Sequence, residues 1–350
     1  MDRFLTKTPS PTRLGGPLHT AGLGNESKKE STSSTSSTSS NVNSPSSGQQ
    51  QKTLSQVEHV RKRRAIYFGC SCQPETSEYF APVTSQGVVT MEVKTGVVCK
   101  GLQKLFDELL VNAGDYSDKG SKVHVSFDDQ SGRFTVHNDT GMWVHPMDDG
   151  ETWSVDAAFS KLNTGSNFDD DVARTTGGLN GVGAKLCNIF SAAFQVTTKC
   201  PRTGMVYCQI WRNNMQDTGG PQCHQSTKSK VPKEHRNKFR YFSDLPARFK
   251  GTKISFAPDY ASFGEGEDNI VVFAQLRESL VAFVQRRCFE IAATRHLKVF
   301  LNGTPMVCRN MRDMAKLYAG PLSKPVVISG TTGTTDSNEN RWEAAVVPKI

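Results

Sequence analysis

A glycine-rich run, Thr175-Thr176-Gly177-Gly178-Leu179-Asn180-Gly181-Val182-Gly183-Ala184-Lys185, leads without a break into the apolar Leu186-Cys187-Asn188-Ile189-Phe190. Glycines let the backbone take positive φ and approach a ligand closely, and free N–H groups at a helix start favour an anion. Lys185 adds a full positive charge, so the run suits a phosphate group. Its spacing matches neither of two familiar phosphate signatures. Leu186 follows Lys185 where GxxxxGK[ST] needs a hydroxyl, and GxGxxG is not matched. A tight turn that holds no ligand is the plain alternative.

Upstream lies Phe106-Asp107-Glu108-Leu109-Leu110-Val111-Asn112-Ala113-Gly114-Asp115. Leu102, Leu105, Leu109 and Ala113 recur near helical spacing, which predicts an amphipathic helix whose other face shows Glu108, Asn112 and Asp115. A carboxylate one turn before a carboxamide suits nucleotide chemistry. Glu108 could take a proton from water, and the Asn112 oxygen could ligate Mg2+. An ordinary polar helix face is the alternative.

Elements that could hold these two stretches can be read around them. Residues after Gln73 read as a loop, and Gly87 to Val93 as a strand ahead of the Glu108 helix. Val123 to Phe127 and Phe134 to His137 alternate like a hairpin, which delivers Asn138-Asp139-Thr140-Gly141-Met142 to the floor of the site. Phe194 to Thr198, Val206 to Trp211 and Thr252 to Phe256 read as further strands. Ile270 to Thr294 reads as a long helix with Phe273, Leu276, Leu280, Phe283 and Val284 on its apolar side. Between Asn213 and Gly251 the chain has no apolar periodicity and carries Lys228, Lys230, Lys233, Arg236, Lys238 and Arg240. That segment reads as a solvated loop, with DNA contact as the electrostatic alternative.

At 350 residues the chain is long enough for a sizeable core and more than one domain. Its formal charge of +8 favours polyanions without establishing one, since solubility explains it equally well. Nine scattered cysteines speak against a disulfide framework or a structural zinc site and for a reducing compartment. No apolar run approaches a membrane span of about 20 residues, so no membrane partner is expected. Residues 1–51, with a Ser/Thr run at 31–40, hold too little apolar surface to offset ordering and are expected to be disordered. Arg3, Lys7 and Arg13 against Asp2 leave a mitochondrial presequence open beside a nuclear, phosphorylatable tail. The run Arg61-Lys62-Arg63-Arg64 is either a nuclear-import or DNA patch or a solvated helix face.

Four segments carry a family resemblance: GLQKLFDELLVNAGD at 101–115, TGSNFDDD at 164–171, TGGLNGVGAKLCNIFS at 176–191 and LKVFLNG at 297–303. Together they resemble the ATP-binding GHKL fold shared by DNA gyrase, the heat-shock chaperones, histidine kinases and mismatch-repair ATPases. Within it they are most similar to the ATPase region of eukaryotic type II DNA topoisomerases. The likeness runs from Lys52 to about Cys308 and includes Val57-Glu58-His59 and Tyr67-Phe68-Gly69, with Arg64 where the family usually has proline.

The resemblance implies an α+β fold, a two-layer sandwich of a mixed β-sheet with helices on one face and ATP on the helical side under a glycine-rich lid. It implies a tail at 1–51, an ATPase domain at 52–307 and the beginning of a transducer domain, ribosomal S5-like, at 308–350, including Arg341-Trp342-Glu343. Leu297 to Gly303 would close the ATPase fold as an edge strand and turn. By the same resemblance Glu108 is the catalytic base and Asn112 the ligand of Mg2+. Asn138 takes the adenine amino group, and Gly165, Ser166 and Asn167 touch ribose and phosphates. Gly178, Leu179, Asn180, Gly181, Val182, Gly183, Ala184 and Lys185 form the phosphate cradle.

Two departures stand out. The turn at Asn138 keeps one glycine, Gly141, of a DxGxG-type pair, and Leu179 stands where the eukaryotic enzymes often have Arg. The implied partners are double-stranded DNA, in the full-length enzyme, and a second copy of the chain on ATP binding. The implied compartment is the nucleus, with the mitochondrion as the alternative. The likeness stops at Ile350, ahead of the family's Gln-Thr-Lys loop, acidic metal domain and DNA-attacking tyrosine, so this stretch is expected to bind ATP and not to cut DNA. A nucleotide-binding paralogue without turnover, or another ATPase of the same fold, are the rival readings.

Overall fold

The computed structural model describes residues 54–162, 181–225, 248–331 and 341–348. The expected tail at 1–51, the expected lid at 163–180 and Lys228 to Arg240 lie outside the described residues.

Helix α1 (Gln56–Lys62) starts with a capping box. The Ser55 hydroxyl accepts from the Glu58 N–H and the Glu58 carboxylate accepts from the Ser55 N–H, which satisfies two helix-end donors at once. After a break at Arg63 comes α2 (Arg64–Phe68), ended by Gly69 in the left-handed region.

The stretch after Gln73 is not a loop. Residues Glu75–Ser85 form β1, paired over their whole length with β2 (Val88–Val98). Ser85 pairs with Val88 across the two-residue turn Gln86-Gly87, both at positive φ, the conformation that matches strand twist in a tight hairpin. No apolar alternation marked β1 in the sequence because its residues are mostly half-buried or exposed on both faces. The partner strand and the turn decide its conformation.

Helix α3 (Lys100–Asp115) follows, then β3 (Lys122–Phe127), β4 (Phe134–Asn138), α4 (Ser154–Ser160), α5 (Gly183–Ile189), β5 (Ser191–Lys199) and β6 (Met205–Arg212). The described part of the presumed solvated loop after Asn213 adds two short strands, β7 (Asp217–Thr218) and β8 (Gln222–Gln225), both paired with β6. Backbone pairing with an otherwise open edge supplies what periodicity did not show. Next come β9 (Thr252–Pro258), the long α6 (Asn269–Arg295), β10 (Lys298–Leu301), β11 (Thr304–Pro305), α7 (Met311–Ala319) and a separate hairpin of β12 (Val326–Thr331) and β13 (Arg341–Val346).

One large sheet runs β11-β10-β3-β4-β9-β5-β6-β7, with β8 also on β6. Its β10–β3 pair is parallel and the others antiparallel, so the sheet is mixed and the fold α+β as expected. Strand β10 is one short strand in from the edge.

Register sets two rows on one sheet face. Phe127, Phe134, Phe256, Phe194 and Trp211 stand abreast on five strands, all buried. Four residues along β4, Asn138, Thr252, Thr198 and Tyr207 form a second, more polar row. Helix α3 is anchored over the first row: Phe106, fully buried, meets Phe127, Phe134 and Phe256 edge-on at centroid distances of 5.8, 5.2 and 5.6 Å. Helix α6, capped by Asp268 accepting from the N–H groups of Ile270 and Val271, buries the expected Phe273, Leu276, Leu280, Phe283 and Val284 and packs on α3 and β10.

Candidate functional site

The α3 stripe of Leu102, Leu105, Phe106, Leu109, Leu110 and Ala113 is buried, which fixes the helix's rotation. Glu108 and Asn112, one turn apart, are thereby left half-buried on the flank. Asp107 turns the other way and pairs with Arg287 of α6 at 2.7 Å. Asp115 departs from expectation. Its side chain is 3% exposed and forms an ion pair with Arg295, the last residue of α6, so it does not share the open face with Glu108. An acid is unfavourable at a helix C-terminus, and the arginine at the end of α6, packed against Gly114, offsets it.

Each Glu108 oxygen has its own surroundings. Oε1 lies 3.1 Å from Lys104 Nζ, one turn earlier. Oε2 lies against the backbone of Gly183, where an added Cβ would sit only 1.9 Å from it. The glycine that opens α5 is therefore the space the carboxylate occupies.

Gly181 takes a φ of +57°, which glycine adopts without a Cβ penalty. Val182 and Ala184 pack on the core, and Lys185, Leu186, Cys187, Asn188 and Ile189 are buried. Lys185 is only 1% exposed, and burial holds its ammonium below the ordinary lysine range. Helix α5 is tied to α3 by the Cys187 thiol donating to the Leu105 carbonyl and to α4 by Asn188 Nδ2 donating to the Phe159 carbonyl at 3.0 Å. The structure thus brings Glu108 and Gly183 together, presents Asn112 on the same helix as Glu108 and buries Lys185 two residues along α5. Gly165, Ser166, Asn167, Gly178, Leu179 and Asn180 lie outside the described residues.

Asn138 ends β4 at 5% exposure. Its orientation follows from where protons can go. Ser117 Oγ donates to the Ala113 carbonyl at 2.6 Å, so it accepts from Asn138 Nδ2 at 3.3 Å. The Asn138 oxygen is then turned away from Ser117. Beside it, Thr252 Oγ1 donates to the Thr140 carbonyl at 2.8 Å, which makes Thr198 the donor in the 2.8 Å contact between the two hydroxyls. Thr198 in turn accepts from the Met142 N–H at 2.9 Å.

The turn after Asn138 is held from outside. Asp139 pairs with Lys250 at 3.1 Å, and a Cβ on Gly141 would lie 1.8 Å from the Lys199 carbonyl. Gly251, at a φ of +81°, lets the backbone pass the Asn138 carbonyl. Ser117, Thr198 and Thr252 were not singled out in the sequence. Strand parity places the two threonines beside Asn138, while nothing in the sequence marks Ser117.

Chemically, the arrangement offers an acceptor oxygen at one end and a carboxylate and a carboxamide at the other, with a buried ammonium on α5. A Mg2+ ion keeps most of its waters and phosphate oxygens and needs only one or two protein oxygens, so a single carboxamide such as Asn112 fits it. Among the described residues no helix is long and apolar enough to cross a membrane.

No protein-family model matches the chain. Among curated proteins it is similar to DNA topoisomerase 2 of Candida glabrata, 32% identical over 307 residues that cover 83% of this chain and 20% of the relative. DNA topoisomerase 2-alpha of Gallus gallus is 30% identical over 309 residues, 85% of this chain and 18% of the relative. The chain spans about a fifth of the length of the curated relatives it matches. Among solved structures, the ATPase region of Saccharomyces cerevisiae topoisomerase II superposes with a TM-score of 0.65 at 30% identity, over 84% of this chain and 70% of that one. The ATPase and transducer domains of DNA topoisomerase II from Balamuthia mandrillaris give 0.65 at 27% identity, over 83% and 70%.

Proposed function

The chain belongs to the eukaryotic type II DNA topoisomerases through their ATPase region, and from that premise we propose that it binds ATP with Mg2+ and hydrolyses the γ-phosphate. The observation that carries this reading is the Glu108 carboxylate seated on Gly183, at the start of the helix that buries Lys185. In this reading the carboxylate is the base, and the start of α5 with the amides before it faces the phosphates.

In this reading the adenine amino group donates to the Asn138 oxygen, the atom that the Ser117 contact leaves turned away. Gly165, Ser166 and Asn167 hold ribose and phosphate. Lys185 and the amides of Gly178 to Gly183 carry the phosphate charge, which grows at the transferred group as the bond to the leaving oxygen breaks. Glu108 orients a water and takes its proton as the water oxygen attacks phosphorus in line. Asn112 would hold Mg2+, which would supply positive charge to the phosphates.

The segment up to residue 307 is read as the ATPase domain, and α7 with β12 and β13 as the start of a transducer domain. In the whole enzyme, ATP would bring two copies together around a DNA duplex and couple turnover to passage of that duplex through a break, in the nucleus.

The test is Glu108→Gln. ATP affinity should stay within about twofold of the parent while turnover falls by about 100-fold or more, the scale of a lost general base. Equal turnover by variant and parent removes Glu108 from the mechanism.

A further inference from the structure

The basic run Arg61-Lys62-Arg63-Arg64 has no part in the nucleotide site, yet the fold gathers it. On one continuous helix Lys62 and Arg64 would stand about 200° apart, at 3.6 residues per turn. The break at Arg63, with a φ of −115° and a ψ of 36°, ends α1 and starts α2. Arg61, Lys62 and Arg64 then all line one cavity of about 480 Å³, together with Phe190 at the end of α5 and Ser262 in the 3-10 turn Tyr260–Phe263.

Stability does not account for this gathering. Attraction to a helix C-terminus explains Arg61 and Lys62 in the last turn of α1. Arg64 is the first residue of α2, where a cation meets the positive end of the helix. Proline, usual here in the resembling family, suits that first position, so the arginine gains nothing locally. The frame is also firm: Phe190 meets Phe68 of α2 and Phe263 at centroid distances of 5.2 and 5.6 Å, and all three rings are buried. Like charges around one volume repel, and an apolar wall beside them strengthens the repulsion.

The charges are not cancelled from within. Glu58 also lines the cavity, but its carboxylate accepts from the Ser55 N–H in the capping box. Arg61 Nη2 lies 3.5 Å from both Asp259 Oδ2 and Ser262 Oγ, beyond the roughly 2.7–2.9 Å of a charge-assisted bond. Asp259 Oδ2 already accepts from Ser262 Oγ at 2.6 Å and Asn214 Nδ2 at 3.0 Å. Among the described residues Lys62 and Arg64 make no ion pair.

We propose that this cavity binds a small polyphosphate, an anion with two or more adjacent phosphoryl groups, on Arg61, Lys62 and Arg64. Guanidinium forks and a lysine ammonium suit phosphate oxygens, and the volume falls within the range of about 300–1,000 Å³ of small-ligand pockets. A duplex spreads its charge along an axis, about one per 1.7 Å, and calls for a row of cations rather than three around one volume. The site is separate from the nucleotide site, since it takes the Phe190 end of α5 while Gly183 at the other end meets Glu108.

The experiment is titration calorimetry of the full chain with inorganic pyrophosphate at about 0.15 M salt, with and without a saturating non-hydrolysable ATP analogue. Saturable binding that survives the analogue is expected. Lys62→Gln combined with Arg64→Gln should lower pyrophosphate affinity roughly 10-fold or more, the scale of lost charge-assisted bonds, with analogue affinity kept within about twofold. The double variant should fold at least as well as the parent, because it removes repulsion and no ion pair.

No saturable heat, an affinity unchanged in the double variant, or binding abolished by the analogue each overturns the proposal. Duplex oligonucleotide binding that the double variant loses, without pyrophosphate binding, makes the run a nucleic-acid surface and overturns the cavity assignment as well. A parent that binds pyrophosphate here and no ATP analogue upholds this site and sinks the ATPase reading alone.

Discussion

The two ends of the candidate site are built on different principles. At the Asn138 end the polar groups are held by a chain of directed hydrogen bonds: Ser117 to Ala113, Asn138 to Ser117, Thr198 to Thr252, Thr252 to Thr140 and Met142 to Thr198. At the Glu108 end the groups are charged, held by one half-exposed salt bridge and by packing against a glycine. The first kind of construction presents one atom in one direction before any ligand arrives. The second leaves a carboxylate held by few contacts. A site that must recognise a base and then move a proton needs both, and the aromatic row under α3 ties them to one sheet.

That tie gives the largest expected effect. Phe106→Ala removes a fully buried ring that touches three others and should cost about 4 kcal/mol in urea-induced unfolding. A loss below about 1 kcal/mol would mean the two ends do not share this support.

Gly183→Ala separates chemistry from folding. The new methyl meets the far end of a side chain rather than backbone, so Glu108 must move and the fold should survive. Turnover should fall roughly 10-fold or more while the melting midpoint holds. An unchanged rate would show that the Glu108–Gly183 contact has no part in catalysis.

Lys185→Met should weaken ATP binding by about 10-fold, the scale of a charge-assisted hydrogen bond to phosphate. The stability difference between parent and variant should also depend on pH. Burial puts the folded-state pKa of Lys185 below its ordinary 10.5, so the folded state binds fewer protons in that interval. The cost of the buried charge is full below the folded pKa and fades as pH rises towards 10.5. Parent and variant should therefore converge in denaturant midpoint at alkaline pH. A gap that widens with pH would contradict this sign.

Thr252→Val is the mildest test. It removes the hydroxyl between Thr198 and Thr140 and should cost about 1 kcal/mol of stability and little turnover. A collapse of turnover would place chemistry at the recognition end.

The same contrast explains what the sequence made legible. Helix α3 announced itself by Leu102, Leu105, Leu109 and Ala113, because a buried stripe must repeat with the helix, and Glu108 and Asn112 followed from their place off that stripe. The glycine run was readable because only close approach or positive φ calls for so many glycines, and Gly181 and Gly183 show one case of each. Thr198 and Thr252 stayed hidden because alternation reports burial, whereas their role depends on register between strands distant in sequence. Asp115 misled because periodicity alone ignores what the end of another helix brings to it. Strand β1 and the short β7 and β8 escaped because they are ordered by a partner's backbone rather than by an apolar face of their own.

The most direct test of the central claim is titration calorimetry of the folded chain with a non-hydrolysable ATP analogue in the presence and absence of Mg2+. The account expects saturable binding to one site per chain, strengthened by Mg2+ and weakened when Asn112 is changed to alanine. Absence of any binding heat at every Mg2+ concentration, from protein shown to be folded, would contradict it.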